Sequence, residues 1–254
     1  MNKIFLKLSN WKLIPINLIL ALPGISYEDV IISLISKKTE SLEPEAALRF
    51  LFHIDQEVYQ LESAKAVQYG GGIHPKHRLM NYHDFFVKRL QASDRVVDIG
   101  CGNGALSYDI AQLAGSEVLG IDINAKNIQY AKKHYEHPKI KFVQGDALCD
   151  LPNDEFDVIV LSNVLEHLAN RTEFLKKVCK SIKPSRLLIR VPLFERDWRI
   201  PLRKELKVEW RLDPTHETEY TIESFEKEME EAGLNIKHIE VHWGEIWSEL
   251  SPVN

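Results

Sequence analysis

Cysteine is scarce, with three among 254 residues. They stand at Cys101, Cys149 and Cys179, with no Cys-x-x-Cys spacing. An odd, unspaced set argues against a disulfide framework and a thiolate zinc site, and it fits a reducing, cytoplasmic setting. Positive charge is not in excess either. Lys and Arg number 32 against 37 Asp and Glu, a net charge of −5. General nucleic-acid binders carry strongly basic domains, so no nucleic-acid partner is expected. Long apolar runs are also missing. The stretch LIPINLILAL, residues 13–22, is broken by Pro15 and Asn17. It falls short of the ~20 apolar residues that span a bilayer, and no A-x-A cleavage site follows it. It predicts a packed helix rather than a signal peptide or a transmembrane segment, and leaves peripheral membrane contact open. Internal repeats and low-complexity linkers are absent.

What is present is an ordinary globular balance, 44% hydrophobic and 27% charged. That accommodates one large α/β domain with an appendage. Residues 1–70 read as a helical N-terminal extension. Ser26 with Asp29 three residues on forms a capping-box pattern, and Pro44 suits a first helical position. The run QYGGGIHPKH interrupts the helices, because consecutive glycines are costly there. HRLMNYHDFFVKRLQ then predicts an amphipathic helix over 77–91. From residue 95 short β-branched runs alternate with helical stretches. RVVDIG, EVLGID, IKFVQGD, FDVIVLS and RLLIRVP read as strands. ALSYDIAQLA, AKNIQYAKKHY and RTEFLKKVCKSI read as the helices between them. This alternation predicts a parallel sheet covered on both faces. TIESFEKEMEEAGL reads as a last helix with Thr221 as N-cap. NIKHIEVHW and EIWSEL, separated by Gly244, predict a closing antiparallel hairpin.

The segment DIGCGNG ends the first strand, and ligands of open α/β sheets bind outside the strands' carboxyl ends. Gly100 and Gly102 let backbone approach a ligand closely. Asp122 ends the second strand 22 residues after Gly100, near the ~20 expected of a carboxylate gripping ribose hydroxyls. GCGNGA also satisfies the loose dinucleotide pattern. Three features argue against a nicotinamide dinucleotide. Asp98 brings negative charge to a mouth that would hold pyrophosphate. Asp146 adds a carboxylate at the third strand end. The motif follows a long helical segment instead of opening the chain. A carboxylate-rich rim suits an adenosine without phosphate that carries positive charge.

The ordered set VVDIGCGNG, GIDIN, GDAL and FDVIVLSNVLEHL resembles the class I S-adenosylmethionine-dependent methyltransferases. The resemblance covers roughly residues 75 to 250, on domain-size grounds. It implies a Rossmann-like fold: a seven-stranded, mostly parallel sheet with helices on both faces, here over 71–254. It also implies S-adenosylmethionine as cofactor. Gly100, Cys101 and Gly102 would line the methionine portion, with Asp98 organising contacts to its ammonium. Asp122 would hold the ribose and Ile123 would pack on adenine. Asp146 and Ala147 would meet the adenine edge, and Ser162 and Asn163 would border the sulfonium. His74, Lys76, His77 and Arg78 are candidates to close over the cofactor carboxylate. Their segment looks like the region before the first strand in bacterial methyltransferases of surface glycans and secondary metabolites. Plainer readings stand beside these. Asp122 taken alone serves equally as a helix cap, and Gly104 and Gly120 as sites of close packing.

Methyl transfer from a sulfonium is an in-line displacement, and much of its acceleration comes from alignment. A hydroxyl acceptor also gains from a general base. Glu166, His167 and His216 are the catalytic candidates; as plain structure, Glu166 and His167 would start a helix or make a buried hydrogen bond. NVLEHL with a later histidine also resembles the Glu-x-x-Glu-His…His metal set of small-RNA 2′-O-methyltransferases. Asn163 stands where that set has its first glutamate, so an anionic ligand is lost and no metal is expected. An acceptor-binding insertion is expected at about 194–220. It is rich in Arg196, Arg199, Arg203 and Arg211 for an acceptor phosphate or carboxylate. Trp198, Trp210, Trp243 and Trp247 offer flat faces to a sugar or planar ring. Its plainer reading is a solvated lid, since Glu195, Asp197, Glu205 and Glu209 are interleaved. The expected partner is a small-molecule acceptor, methylated at a hydroxyl of a sugar, glycolipid or secondary metabolite. An RNA or protein methyltransferase, a non-catalytic cofactor-binding scaffold and a nicotinamide oxidoreductase are the competing classes. A homodimer is left open.

Overall fold

The computed structural model describes residues 26–253 except residue 153. The run 13–22, expected as a packed helix, lies outside the described residues. The chain divides into two compact units, the larger comprising Ser63–Lys204 and Glu209–Asn254. In the smaller unit, helix α1 (Tyr27–Glu40) starts from the expected capping box. Ser26 Oγ accepts from the Asp29 amide at 3.1 Å, and the Asp29 carboxylate accepts from the Ser26 amide at 3.3 Å. Helix α2 (Pro44–Tyr69) follows, with Pro44 as its first residue. No helix among the described residues is long and apolar enough to cross a membrane.

The larger unit carries seven strands in one sheet. They are β1 (Arg95–Ile99), β2 (Glu117–Asp122), β3 (Ile140–Gln144), β4 (Val158–Ser162), β5 (Arg186–Pro192), β6 (Leu234–His242) and β7 (Glu245–Pro252). Their order is β3-β2-β1-β4-β5-β7-β6. β1 to β5 pair in parallel, and β7 runs antiparallel between β5 and β6. The fold is Rossmann-like and mostly parallel, as expected. β6 and β7 join through Trp243 and Gly244, both at positive φ (55° and 74°), the twist that a two-residue hairpin turn requires.

Both sheet faces are buried, which is why the strands are continuous apolar runs. Val97, Ile99, Ile159, Leu161, Leu187 and Ile189 face α7 (Arg171–Ile182) and α9 (Ile222–Glu231) through Phe174, Leu175, Val178, Phe225 and Met229. Val96, Val118, Val158, Val160 and Leu188 pack on the other side with Phe85, Phe86, Leu106, Ile110 and Trp247. α9 begins on Thr221 with a second capping box, closed by Ser224.

Two local expectations are corrected, and one segment holds a helix that was not expected. The helix predicted over 77–91 is two short ones, α3 (Lys76–Met80) and α4 (His83–Val87). Asn81 separates them in the left-handed region at φ 50°, a conformation asparagine tolerates. The helix expected over 105–114 begins as α5 (Ala105–Asp109) and widens into a π turn over Ile110–Ala114. The 194–220 segment also contains helix α8 (Arg199–Glu205). Between β2 and β3, α6 (Ala125–His134) is capped by Asn124.

Gly120 lies where β2 passes under the Phe142 ring. A Cβ there would sit 2.7 Å from Phe142 Cδ1 and 3.0 Å from Cys101 Sγ. Gly120→Ala is therefore expected to destabilise the protein by roughly 1–3 kcal/mol through overpacking. Urea unfolding should show a lower midpoint with an unchanged m-value.

Candidate active site

The turn after β1 is pinned to its neighbour strand. The amides of Gly100 and Cys101 both donate to Ile121 O, at 2.7 and 3.0 Å. Gly100 and Gly102 take φ +75° and +56°, and a Cβ on Gly100 would meet Val164 Cγ2 at 2.5 Å. Glycine is thus required at 100 on both counts, and favoured at 102 by its positive φ alone. A cavity of about 190 Å³ opens over this turn, lined by Asp98, Gly100, Cys101, Gly102, Ser162 and Asn163 among others. These six sequence candidates are brought together. The cavity is also lined by Lys76, His77, Tyr82 and Arg190. Arg78 is exposed and does not line it; the structure puts its neighbours there instead.

Asp98 is buried at the floor and accepts from Ser107 Oγ at 2.6 Å. Burial pushes its carboxyl up to about 6, against the pull of the Ser107 hydrogen bond. Asp122 Oδ2 accepts from the Gly102 amide at 2.9 Å, and its Oδ1 from the Asn124 amide at 2.7 Å. Oδ1 also accepts from Asn127 Nδ2 at 3.3 Å, so Asp122 shapes the turn and its Oδ2 keeps a lone pair for a ligand. Ile123 is 67% exposed, an apolar surface beside that carboxylate. Asp146 Oδ1 accepts from the Leu148 amide at 2.8 Å, and Ala147 packs against the core. Asp122, Ile123, Asp146 and Ala147 sit along the strand ends outside the cavity proper.

Sequence reasoning missed Arg190 and Tyr82. Arg190 is buried in β5 and grips Glu245 with two hydrogen bonds, at 2.5 and 2.6 Å. It also donates to Ser162 Oγ at 3.1 Å and lies 3.7 Å over the Tyr82 ring. Trp247 Nε1 donates to the same Glu245. The available signal was a lone arginine inside the apolar run RLLIRVP, where an unpaired charge is not tolerated.

A second group forms where the turn Leu165–His167 meets the 213–219 loop. The Glu166 carbonyl accepts from the amides of Glu217 and Thr218, at 2.7 and 3.3 Å, which ties the two segments together. One donor atom each from Glu166, His167 and His216 lies within 4.8 Å of the others. The imidazoles meet edge to face with centroids 4.6 Å apart. His216 Nδ1 donates to Glu219 Oε1 at 3.2 Å. Thr215 Oγ1 gives its proton to Asp213 Oδ1 at 2.7 Å, so it accepts from His167 Nδ1 at 3.0 Å. Both rings are thereby fixed with Nε2 as the bare nitrogen. Glu166 is fully buried with neither carboxylate oxygen hydrogen-bonded, and burial pushes its carboxyl up to about 8. The three catalytic candidates do converge. A bare Nε2 in this setting can take a hydroxyl proton or ligate a cation.

In the 194–220 segment the arginines are paired, as its plainer reading has it. Arg196 is paired with Glu219, Arg199 with Asp197 at 2.6 Å and Arg211 with Glu209 at 2.9 Å. Arg203 is buried. Trp247 belongs to the core, Trp210 packs on Phe194 at 5.3 Å, and among the described tryptophans only Trp198 and Trp243 are well exposed. The charges largely balance within the segment.

Residues 73–239 match a family described as a methyltransferase domain. A ubiquinone biosynthesis O-methyltransferase of Rhodopseudomonas palustris strain BisA53 is 33% identical over 107 residues, spanning 41% of this chain and 42% of the relative. The match thus takes in under half of that protein. Human N-acetylserotonin methyltransferase, solved with S-adenosylmethionine, superposes with a TM-score of 0.57 at 18% identity, over 76% of this chain and 57% of that one. Magnesium protoporphyrin IX methyltransferase from Synechocystis PCC 6803, solved with S-adenosylhomocysteine, gives 0.55 at 18% identity, over 68% and 83%. At such identities the solved structures speak to the fold.

The buried Asp98 carboxyl makes a signed prediction for the ligand-free protein. Its folded value lies above the ordinary 3.8, so its contribution favours the fold at low pH and is lost as pH rises through about 6. Asp98→Asn is expected to be the more stable protein at pH 8, by roughly 1–3 kcal/mol. The gain should shrink to nothing near pH 4. Thermal unfolding of both proteins across that range checks it.

Proposed function

The chain belongs to the methyltransferase-domain family, and on that premise we propose that it transfers a methyl group from S-adenosylmethionine to a hydroxyl of a small-molecule acceptor. S-adenosylmethionine supplies an electrophilic methyl on a positively charged sulfur. The residues present suit it. The Gly100–Gly102 turn admits backbone-close binding, and Asn163, whose buried Oδ1 is without a partner, lines the same cavity. Asp98 at the floor and Asp122 at the rim offer carboxylates to its ammonium and ribose. Lys76 and Arg190, which also line the cavity, are cationic partners for its carboxylate. A pyrophosphate coenzyme would bring its charge against Asp98 at the cavity floor.

The observation that carries the acceptor side is the pair of imidazoles whose Nδ1 atoms are held by Thr215 and Glu219, leaving Nε2 bare, with His167 four residues beyond the cavity-lining Asn163. Such nitrogens suit a hydroxyl, whose proton must leave as the new O–C bond forms, and are less needed by an amine. The printed name of the Rhodopseudomonas relative, an O-methyltransferase, points the same way. A sugar, glycolipid or secondary metabolite remains the acceptor class we favour. The exposed Trp198 and Trp243 faces are the apolar surfaces available to it. The segment 194–220 is the proposed acceptor-binding insertion, and residues 1–70 the proposed N-terminal extension.

His167→Ala and His216→Ala are expected to lower labelled-methyl transfer to hydroxyl acceptors by about 10²–10⁴-fold. Calorimetric affinity for S-adenosylhomocysteine should stay within about twofold of the parent's, well inside the ~1.4 kcal/mol that a tenfold change represents. Normal turnover by both variants would remove the two histidines from the chemistry.

A further inference from the structure

We propose that the cleft between the α3–α4 turn and the β6–β7 hairpin is a binding site for a neutral saccharide ring. It is a second cavity, of about 290 Å³, lined by Phe85, Arg89, Glu240, Trp243 and Trp247 among others. It neighbours the cofactor cavity. Asn81 lines the one and Tyr82 the other, while Trp247 and Arg190, one from each lining, both donate to Glu245. At the hairpin turn, residue type and conformation disagree. Trp243 and Gly244 hold φ 55° and 74°, a pair of positions that Asn-Gly fills without strain. A bulky side chain at positive φ is an outlier. Trp243 is also 68% exposed, so packing returns little for that strain. Backbone outliers of this kind cluster at ligand clamps.

The lining selects the ligand class. Phe85 and Trp247 supply buried apolar surface, with ring centroids 5.7 Å apart, and Trp243 adds an open indole. Charge in the cleft balances, Asp84 and Glu240 against Lys88 and Arg89, so no net field holds an ion there. The polar groups are spent only in part. The Arg89 guanidinium lies 4.0 Å over the Phe85 ring, and its Nη1 donates to the Phe85 carbonyl at 3.1 Å. Its Nε and Nη2 reach Glu249 and Glu240 only at 3.5 and 3.6 Å. Glu240 Oε1 has His238 Nε2 no nearer than 3.5 Å. Charge-assisted hydrogen bonds are far shorter than this. An N–H and a carboxylate oxygen thus face each other with capacity in hand. A hydroxyl, which donates and accepts at once, satisfies both. An anion would be repelled by Glu240 and a cation by Arg89. A pyranose has an apolar C–H face for the indole and hydroxyls around its edge for this pair, the combination of apolar lining and few placed polar groups that ligand pockets use. That the saccharide is a remote part of the methyl acceptor rests on the methyl-transfer reading; the binding site does not.

The test follows the tryptophan indole N–H resonances of the ¹⁵N-labelled full chain during titration with the methyl glycosides of glucose, galactose, mannose and rhamnose. Catechol, a flat neutral ring, and inorganic phosphate are the comparison probes. Saturable shifts of the Trp243 and Trp247 signals are expected with at least one glycoside, and none at Trp198. Trp243→Asn installs the residue that the turn prefers, so it should keep the fold and raise the urea midpoint while weakening glycoside binding at least about tenfold. Glu240→Gln should weaken it too, and Trp198→Ala should leave it unchanged. S-adenosylhomocysteine affinity, measured on the same samples, should be the parent's in all three. No saturable shift with any of the glycosides overturns the proposal. So does undiminished glycoside binding by Trp243→Asn, or binding of catechol or phosphate in place of the glycosides. Glycoside binding by a chain that does not bind S-adenosylhomocysteine would instead sink the methyl-donor reading and leave the saccharide site standing.

Discussion

A parallel sheet buried on both faces leaves its polar chemistry one outlet, the row of loops past the strands' carboxyl ends. Val96, Val97 and Ile99 in β1, and all of Val158–Leu161 in β4, are buried. A charge on those strands must therefore lie near their tips or be paired. The rest of the molecule follows from that constraint. Asp98 and Asp122 stand at or near the tips of β1 and β2, and Ser162, Asn163 and Glu166 at and beyond the tip of β4. Arg190 occurs near the end of β5 and meets its counterion from the adjoining antiparallel strand. Pairing β7 beside β5 brings Glu245 opposite Pro192 and Trp247 opposite Arg190. The antiparallel strand is thus part of the site's electrostatics as well as the sheet's closure.

The site carries several groups that a stability-optimised protein would replace. Asp98 is held as a buried carboxyl with one hydrogen bond. Glu166 has none from its side chain. Arg190 and Glu245 form an ion pair with 3% and 9% of their side chains exposed. Such a pair contributes little net stability, yet removing one member leaves a costly orphan charge. These costs are tolerable because the surrounding apolar layers hold the loops in place. The groups themselves make sense as a surface prepared for a ligand of opposite charge.

Much of this architecture was legible in the residues. Strands buried on both faces appear as contiguous β-branched runs, and the Ser26 and Thr221 caps announce their helices by spacing alone. The glycine turn and its carboxylates were readable because each sits at the end of such a run. The break at Asn81 was not, since two short helices and one long one share the same apolar spacing over a few turns. The tryptophans misled for a different reason. Trp247 points inward because it occupies a β7 position whose register against β5 no local pattern specifies. The arginines of 194–220 admitted two readings, ligand-seeking or locally balanced, and the second holds for Arg199 and Arg211, which pair with Asp197 and Glu209 two residues away. The meeting of His167 with Thr215 joins residues 48 apart. It depends on the Glu166 carbonyl accepting from a distant loop, an interaction without a sequence signature.

The account rests on carboxylates at neighbouring strand tips receiving a cationic nucleoside. Competition calorimetry addresses that most directly, with S-adenosylmethionine and a nicotinamide dinucleotide offered to the same protein at neutral pH. The account predicts saturable binding of S-adenosylmethionine, undisturbed by excess dinucleotide. Tight uptake of the dinucleotide, with no heat from S-adenosylmethionine, would contradict it.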